Sequence, residues 1–176
     1  MGEFAEEIIT QSSAVRFRQA MADDLDYIME TEHAEENAKY VIPWTREEHA
    51  KLLNSDNTKH FIVETVDGLA KVGFVIVSGL KNPFQEIEFL RIIMAEKGRG
   101  YGRQTVRLLQ SWAFKELGAH RAWLDVKAHN DRARNLYKSE GFIEEGYFRE
   151  CIKNGDVYES LVVLAILEHE YFKSNR

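Results

Sequence analysis

Lys97-Gly98-Arg99-Gly100-Tyr101-Gly102-Arg103 stands where a short apolar run ends and an amphipathic one begins. Upstream, Ile87 to Met94 (IEFLRIIM) is rich in Ile and is bounded by the Pro83 region and the glycines, so it reads as a strand buried over much of its surface. Downstream of Thr105, the residues Val106, Leu109, Trp112, Ala113 and Leu117 fall on one helical face, and Gly118 follows as the C-terminal cap. The glycines therefore occupy a strand-to-helix turn. Glycine lacks a Cβ, so the backbone there can adopt positive φ and approach a ligand closely, while the first N–H groups of the helix point outward without partners. Together with the positive end of the helix dipole and the side chains of Lys97, Arg99 and Arg103, those donors suit a pyrophosphate.

The spacing chooses among phosphate loops. A dinucleotide fingerprint needs G-x-G-x-x-G, whereas here the glycines run G-x-G-x-G, with Arg103 where the last should stand. The P-loop pattern G-x-x-x-x-G-K-[ST] is absent. The pattern that fits is [Lys/Arg/Gln]-x-x-Gly-x-Gly, carried by Lys97, Gly100 and Gly102. A second segment lies downstream of a strand-like run, Arg121 to Val126 (RAWLDV): from Asn130 through Ala133, Leu136 and Tyr137 to Gly141 and Phe142 it follows N-x-x-A-x-x-L-Y-x-x-x-G-F. The two motifs resemble the acetyl-CoA loop and the following helix of the GNAT superfamily of N-acetyltransferases, and most of all its ribosomal-protein N-terminal and spermidine acetyltransferase branch. The resemblance covers roughly residues 85 to 167 and extends less distinctly back to Val15 to Arg18.

The chain has 176 residues, the size of one ordinary domain, and a formal net charge of −6, which argues against broad nucleic-acid binding. Cys151 is the sole cysteine, so an intrachain disulfide is ruled out and a reducing compartment is the natural inference. No apolar run approaches the roughly 20 residues of a membrane helix, and the start MGEFAEEIIT is no signal peptide. The expectation is a cytoplasmic protein without membrane or nucleic-acid partners.

Residues 1–14 are polar and unpatterned and read as a flexible terminus, with one N-acetyltransferase domain over 15–176. Val15 to Arg18 alternates as a strand. Asp23 or Asp24 opens a helix to about Glu35, and Thr45 with Glu48 forms a capping-box pattern for a second. His60 to Val66 and Leu69 to Ser78 read as a hairpin turned at Asp67-Gly68. The strand Glu86 to Met94, a helix Gly102 to Leu117, the strand Ala122 to Val126 and a helix Asp131 to Glu140 follow. A last hairpin joins Gly146 to Lys153 with Val157 to Leu167 through Asn154-Gly155. This order predicts an α/β fold of mixed α+β character: a mixed, largely antiparallel twisted sheet of about six to seven strands with helices on both faces.

The resemblance implies an acetyl-CoA-dependent enzyme in which an acceptor amine attacks the thioester directly. It implies that Ile92 and Ile93 offer backbone groups to the pantetheine arm, that Lys97, Gly98, Arg99, Gly100, Tyr101, Gly102 and Arg103 hold the pyrophosphate, and that Asn130 contacts the arm while capping its helix. Tyr137 is the candidate general acid, since a phenol of pKa about 10 is protonated at neutral pH when a thiolate of pKa about 8.5 leaves. Glu88 is the candidate base, with Glu86 two residues away and water as alternatives. The need for a base depends on the acceptor: neutralising a lysine-like amine at pH 7 costs roughly 4.6 kcal/mol and a peptide α-amine only about 1.4. A small-molecule amine and a protein N-terminus both remain open, with Tyr40, Trp44 and Phe84 as candidate acceptor-site residues.

His33, His49, His60, His120, His129 and His169 show no metal-ligand spacing, so no metal is expected. Cys151 sits in a strand pattern and reads as a buried, inert thiol. A homodimer through the C-terminal hairpin is compatible with the pattern. Two competing expectations are a non-catalytic acyl-CoA-binding regulatory module, opposed by the presence of Tyr137 and Asn130, and an ATP or NAD protein, opposed by the missing Walker pair and third glycine.

Overall fold

Strand periodicity and turn chemistry fold the chain around one eight-stranded sheet in the computed structural model, which describes residues 7–175. In chain order the elements are β1 (Ile8–Gln11), β2 (Val15–Gln19), α1 (Leu25–His33), α2 (Glu35–Ala38), α3 (Arg46–Leu53), β3 (Thr58–Thr65), β4 (Lys71–Ser78) and β5 (Glu86–Met94). They continue as α4 (Tyr101–Ser111), β6 (Arg121–Lys127), α5 (Asp131–Ser139), β7 (Ile143–Asn154), β8 (Val157–Leu167) and α6 (Glu168–Ser174). The strand order is β1-β2-β3-β4-β5-β6-β8-β7, antiparallel throughout except for the parallel β5–β6 pair.

Period-two alternation sends side chains to two apolar layers. On one face Phe17, Phe61, Val63 and Val77 pack with Val106, Leu109 and Trp112, and Trp112 meets Phe61 edge-on at 5.1 Å between centroids. On the other face Ile62, Phe74, Ile76 and Ile93 pack with Ile28 of α1. Each such fully buried large side chain contributes about 1.5–3 kcal/mol relative to exposure. Helices cover both faces, as the order of elements requires.

Several boundaries depart from expectation for physical reasons. The terminal segment contains a strand: Ile8, Thr10 and Gln11 pair with Arg18, Phe17 and Arg16, which raises the strand number to eight. As a short, partly exposed edge its side chains show no alternation, so pairing alone defines it. The remainder of the terminal segment expected to be flexible, residues 1–6, lies outside the described residues. The first helix breaks at Ala34, whose ψ of 135° is extended, and the buried Asn37 amide donates to Thr31 O at 2.8 Å, satisfying a carbonyl that the break strands. The helix after the glycine loop ends in a π-helical turn, Trp112–Glu116.

The β3–β4 connection is longer than a two-residue turn. Residues 66–70 form it, Leu69 takes the positive φ of 53°, and the Ala70 N–H donates to the Thr65 hydroxyl at 3.2 Å. In the last hairpin the turn residues are Gly155 and Asp156, since Asn154 already pairs with Val157. Cys151 is exposed on β7, contrary to the buried thiol expected, because β7 is an edge strand whose residues are exposed on both faces along most of its length. The Thr45–Glu48 capping box closes as its spacing anticipates, with the Glu48 N–H on Thr45 Oγ1 at 3.2 Å and the Thr45 N–H on Glu48 Oε2 at 2.7 Å.

Candidate active site

β5 and β6 are paired only over Glu86–Glu88 against Arg121–Trp123. Beyond that point they part. β5 also carries a bulge there: Ile76 pairs with Arg91 and Val77 with Phe89, leaving Leu90 as the extra residue. A bulge bends its strand and re-aims side chains. The result is a cavity of about 1070 Å³ between the strands, with Ile92 and Ile93 in its wall.

At one end of the cavity lies the glycine loop. Gly98 and Gly100 have φ of 79° and 80°, and Gly100 is the N-cap of α4. No side chain caps that helix, so its first N–H groups are free to meet an anion. A Cβ built on Gly98 or Gly100 would meet no atom within 4 Å, which leaves room for a phosphate against the backbone. Gly100→Ala is expected to raise the acetyl-CoA Kd about tenfold, because it adds strain of about 1–2 kcal/mol at positive φ and puts a methyl in that room. A binding titration checks it.

The loop's cations are held by protein groups. Lys97 Nζ donates to Asn37 Oδ1 and, at 3.1 Å, to Met94 O, and burial pushes its pKa down. Arg99 bonds Glu96 at 2.9 Å, and Arg103 bonds Ser139 Oγ at 2.9 Å and Glu140. Lys97 thus fastens the loop to α2. Arg132, in the first turn of α5 and in the cavity wall, is a basic residue that the sequence reading passed over, although it stands inside the second motif.

Tyr137 comes from α5 and is buried in the cavity wall, its ring 5.9 Å from that of Phe142. Burial, helped by the negative charge of Asp125, pushes its pKa up, so the phenol is protonated throughout the neutral range. Asn130 begins the same helix, and its side chain accepts from the Ala133 N–H at 3.2 Å. It lies in the cavity wall as well.

The other end of the cavity is lined by Tyr40 and Trp44, from the α2–α3 connection, together with Arg91 and Asp125. Phe84 is elsewhere: it is 81% exposed on the β4–β5 connection and does not line the cavity. Glu88 does not line it either, and its carboxylate accepts from Ser78 Oγ at 2.8 Å. Burial raises its pKa. Three carboxylates do line it, Glu36, Glu96 and Asp125, and of these Asp125 stands on β6 beyond the point where it parts from β5; desolvation in the cavity raises its pKa and Arg91 draws it the other way. An aspartate standing alone in the strand run RAWLDV was the signal for it.

Residues 25–142 match the Acetyltransferase (GNAT) family. The chain belongs to that family. It is an acetyl-CoA-dependent N-acetyltransferase. Among curated relatives, Escherichia coli K12 spermidine N(1)-acetyltransferase is 25% identical, over 93% of this chain and 91% of its own length. The probable N-acetyltransferase YjcK of Bacillus subtilis is 30% identical, over 68% and 67%. Among solved structures, the Vibrio cholerae spermidine N-acetyltransferase in complex with CoA and spermine superposes with a TM-score of 0.81 at 24% identity, over 92% of this chain and 99% of that one.

Among the described residues of this GNAT chain, no helix is long and apolar enough to cross a membrane, and no group of three or more His, Cys, Asp or Glu side chains is gathered as for a metal ion.

Proposed function

We propose that the acceptor is the primary amine of a small polyamine-type cation, that Asp125 takes the amine proton and that Tyr137 supplies the proton for the departing thiolate. The observation that carries this reading is the Asp125 carboxylate opening into the cavity where β5 and β6 part, close enough to Tyr137 to raise its pKa. Acetyl-CoA brings the activated acetyl group as a thioester. The residues present fit it: the open space at Gly98 and Gly100 and the uncapped first turn of α4 suit its pyrophosphate, and Ile92 and Ile93 line the same cavity as that turn and Tyr137.

An ammonium entering past Tyr40 and Trp44 gains attraction from the Asp125 carboxylate. Desolvation within the cavity helps Asp125 as a base, since a raised pKa narrows the gap to the amine it must deprotonate. The net charge of −6 favours approach of a cation, and the spermidine-acetylating relative and the spermine-bound neighbour point the same way. Exposed Ile143, Tyr147, Phe148, Val157 and Tyr158 on the β7–β8 hairpin support self-association there. The neighbouring Vibrio cholerae spermidine N-acetyltransferase has been solved as a dodecamer.

Thiol release from acetyl-CoA with spermidine, spermine and a peptide bearing a free α-amine tests the acceptor class. The polyamines are expected to be the better acceptors, and preference for the peptide would reject the reading. Asp125→Asn is expected to lower kcat/KM for the polyamine about 10²-fold with acetyl-CoA affinity unchanged. The acidic limb of the wild-type pH profile should lie above the ordinary aspartate range, because activity needs the carboxylate ionised and its pKa is raised.

A further inference from the structure

Beneath the acceptor end of the cavity lies a set of buried polar groups that the chemistry above does not use. Glu32 of α1 has no exposed surface. Its Oε2 accepts from the Trp44 N–H at 2.9 Å and lies 2.9 Å from His49 Nε2. Its Oε1 is 3.1 Å from Arg91 Nε. Arg91 in turn donates to Ile42 O at 2.8 Å and places its guanidinium 4.4 Å from the centre of the Trp44 ring. The acceptor wall, residues 42–44, is therefore tied at a carbonyl, an N–H and a ring face to one carboxylate–guanidinium pair. Arg91 also reaches the cavity that Asp125 shares, and its charge acts on Asp125.

We propose that Glu32 is a positioning residue for the acceptor site: by holding Arg91 against Ile42 and Trp44 it fixes the acceptor wall and keeps that guanidinium from neutralising Asp125. The inference rests on the reading of Asp125 as the group that meets the cationic amine. Two things follow from the arrangement. A cationic acceptor competes with Arg91 for the same carboxylate, and Glu32 decides the competition by giving Arg91 a closer partner. Arg91 remains charged beside its buried counter-ion, and so its influence on Asp125 depends on whether Glu32 holds it.

The charged and titratable groups around the pair come from every element packed on it. Glu32 faces His49 and Glu48 of α3 and Arg91 of β5, with His60 of β3 beyond His49 at 5.8 Å between rings. His60 is pushed down to about 4 by burial and stays neutral across the working range. Asp125 faces Arg91 and Glu88 of β5 and Tyr137 of α5. Of all these, Arg91 is the cation shared by both carboxylates.

The test compares Glu32→Gln, Asp125→Asn and the double variant Glu32→Gln/Arg91→Gln in the full chain. Each is measured for acceptor KM, kcat, acetyl-CoA Kd and the acidic limb of kcat/KM. In Glu32→Gln the acceptor KM is expected to rise about tenfold with acetyl-CoA Kd unchanged, and the acidic limb to move to lower pH, because a released Arg91 stabilises ionised Asp125. The double variant removes both charges of the Glu32–Arg91 pair together, so it keeps the question answerable where the single variant fails to fold. Its limb is expected to move above that of the wild type, since Asp125 has lost its cation. A purely structural role moves thermal stability and kcat alike and leaves both limbs in place, and that pattern overturns the proposal, as does a limb that shifts the same way in both variants. If instead Asp125→Asn retains the wild-type limb, the assignment of Asp125 has failed and not the coupling of Glu32 to Arg91.

Discussion

Tyr137→Phe is expected to lower kcat about 10²- to 10³-fold while acetyl-CoA affinity changes little. The substitution removes one oxygen from a ring that stays packed beside Phe142, so the cavity keeps its shape and only the proposed proton donor is lost. Burial makes the phenol a weaker acid than usual, but it also ensures that the donor is fully protonated when the thiolate departs. Proton transfer is then demanded only as charge builds on sulfur. The check is steady-state turnover beside thermal unfolding with acetyl-CoA. At about 100 times Kd the ligand adds about 2.7 kcal/mol of stability to wild type and variant alike. Unaltered turnover would remove Tyr137 from the mechanism, whereas a lost thermal shift would show that the ring instead holds the donor.

The largest effect on stability is expected from Gly73→Ala. Gly73 of β4 pairs with Met94 of β5, and a Cβ there would lie 2.5 Å from Met94 Cε and nearer still to Ile93 O. The methionine tip can swing aside, but the carbonyl belongs to a strand held on the sheet. Relief therefore requires β4 and β5 to separate beside the residues that face the cavity. Overpacking of this kind costs about 3 kcal/mol, which for a chain of this size lowers Tm by about 10 °C. Weaker acetyl-CoA binding should accompany it, because Ile93 is displaced. A variant of unchanged Tm would show that the strands yield more easily than their register implies.

The glycine loop and the Asn130–Phe142 segment were legible because both are local: turn chemistry, a helix cap and side-chain periodicity lie within a few residues of one another. The order of strands and helices follows from the same signals. What escaped notice is non-local. β1 exists through its pairing with β2, not through any pattern of its own. Glu88 is the more conspicuous carboxylate in sequence, yet the bulge at Leu90 and the parting from β6 decide which charges reach the cavity, and they bring Asp125 and Arg91 there. Lys97 lies in a phosphate-loop pattern, but Asn37, sixty residues away in sequence, takes its ammonium. Phe84 is aromatic and close to the site along the chain, and it still points to solvent, since the β4–β5 connection loops away from the cavity.

Because β5 and β6 part after Glu88, the cavity between them is lined both from the α4–α5 layer and from the segment between α2 and α3. With the glycine loop and the Tyr40–Trp44 segment in the wall of one cavity, donor and acceptor are expected to occupy it together, neither departing before the other enters. Cys151, the chain's single thiol, is exposed on β7 and not in the cavity wall, so no sulfur is at hand to carry the acetyl group between two half-reactions. The rate law that belongs to such a passage is a sequential one: double-reciprocal plots intersect, and free CoA competes with the donor while the amine keeps its own entrance.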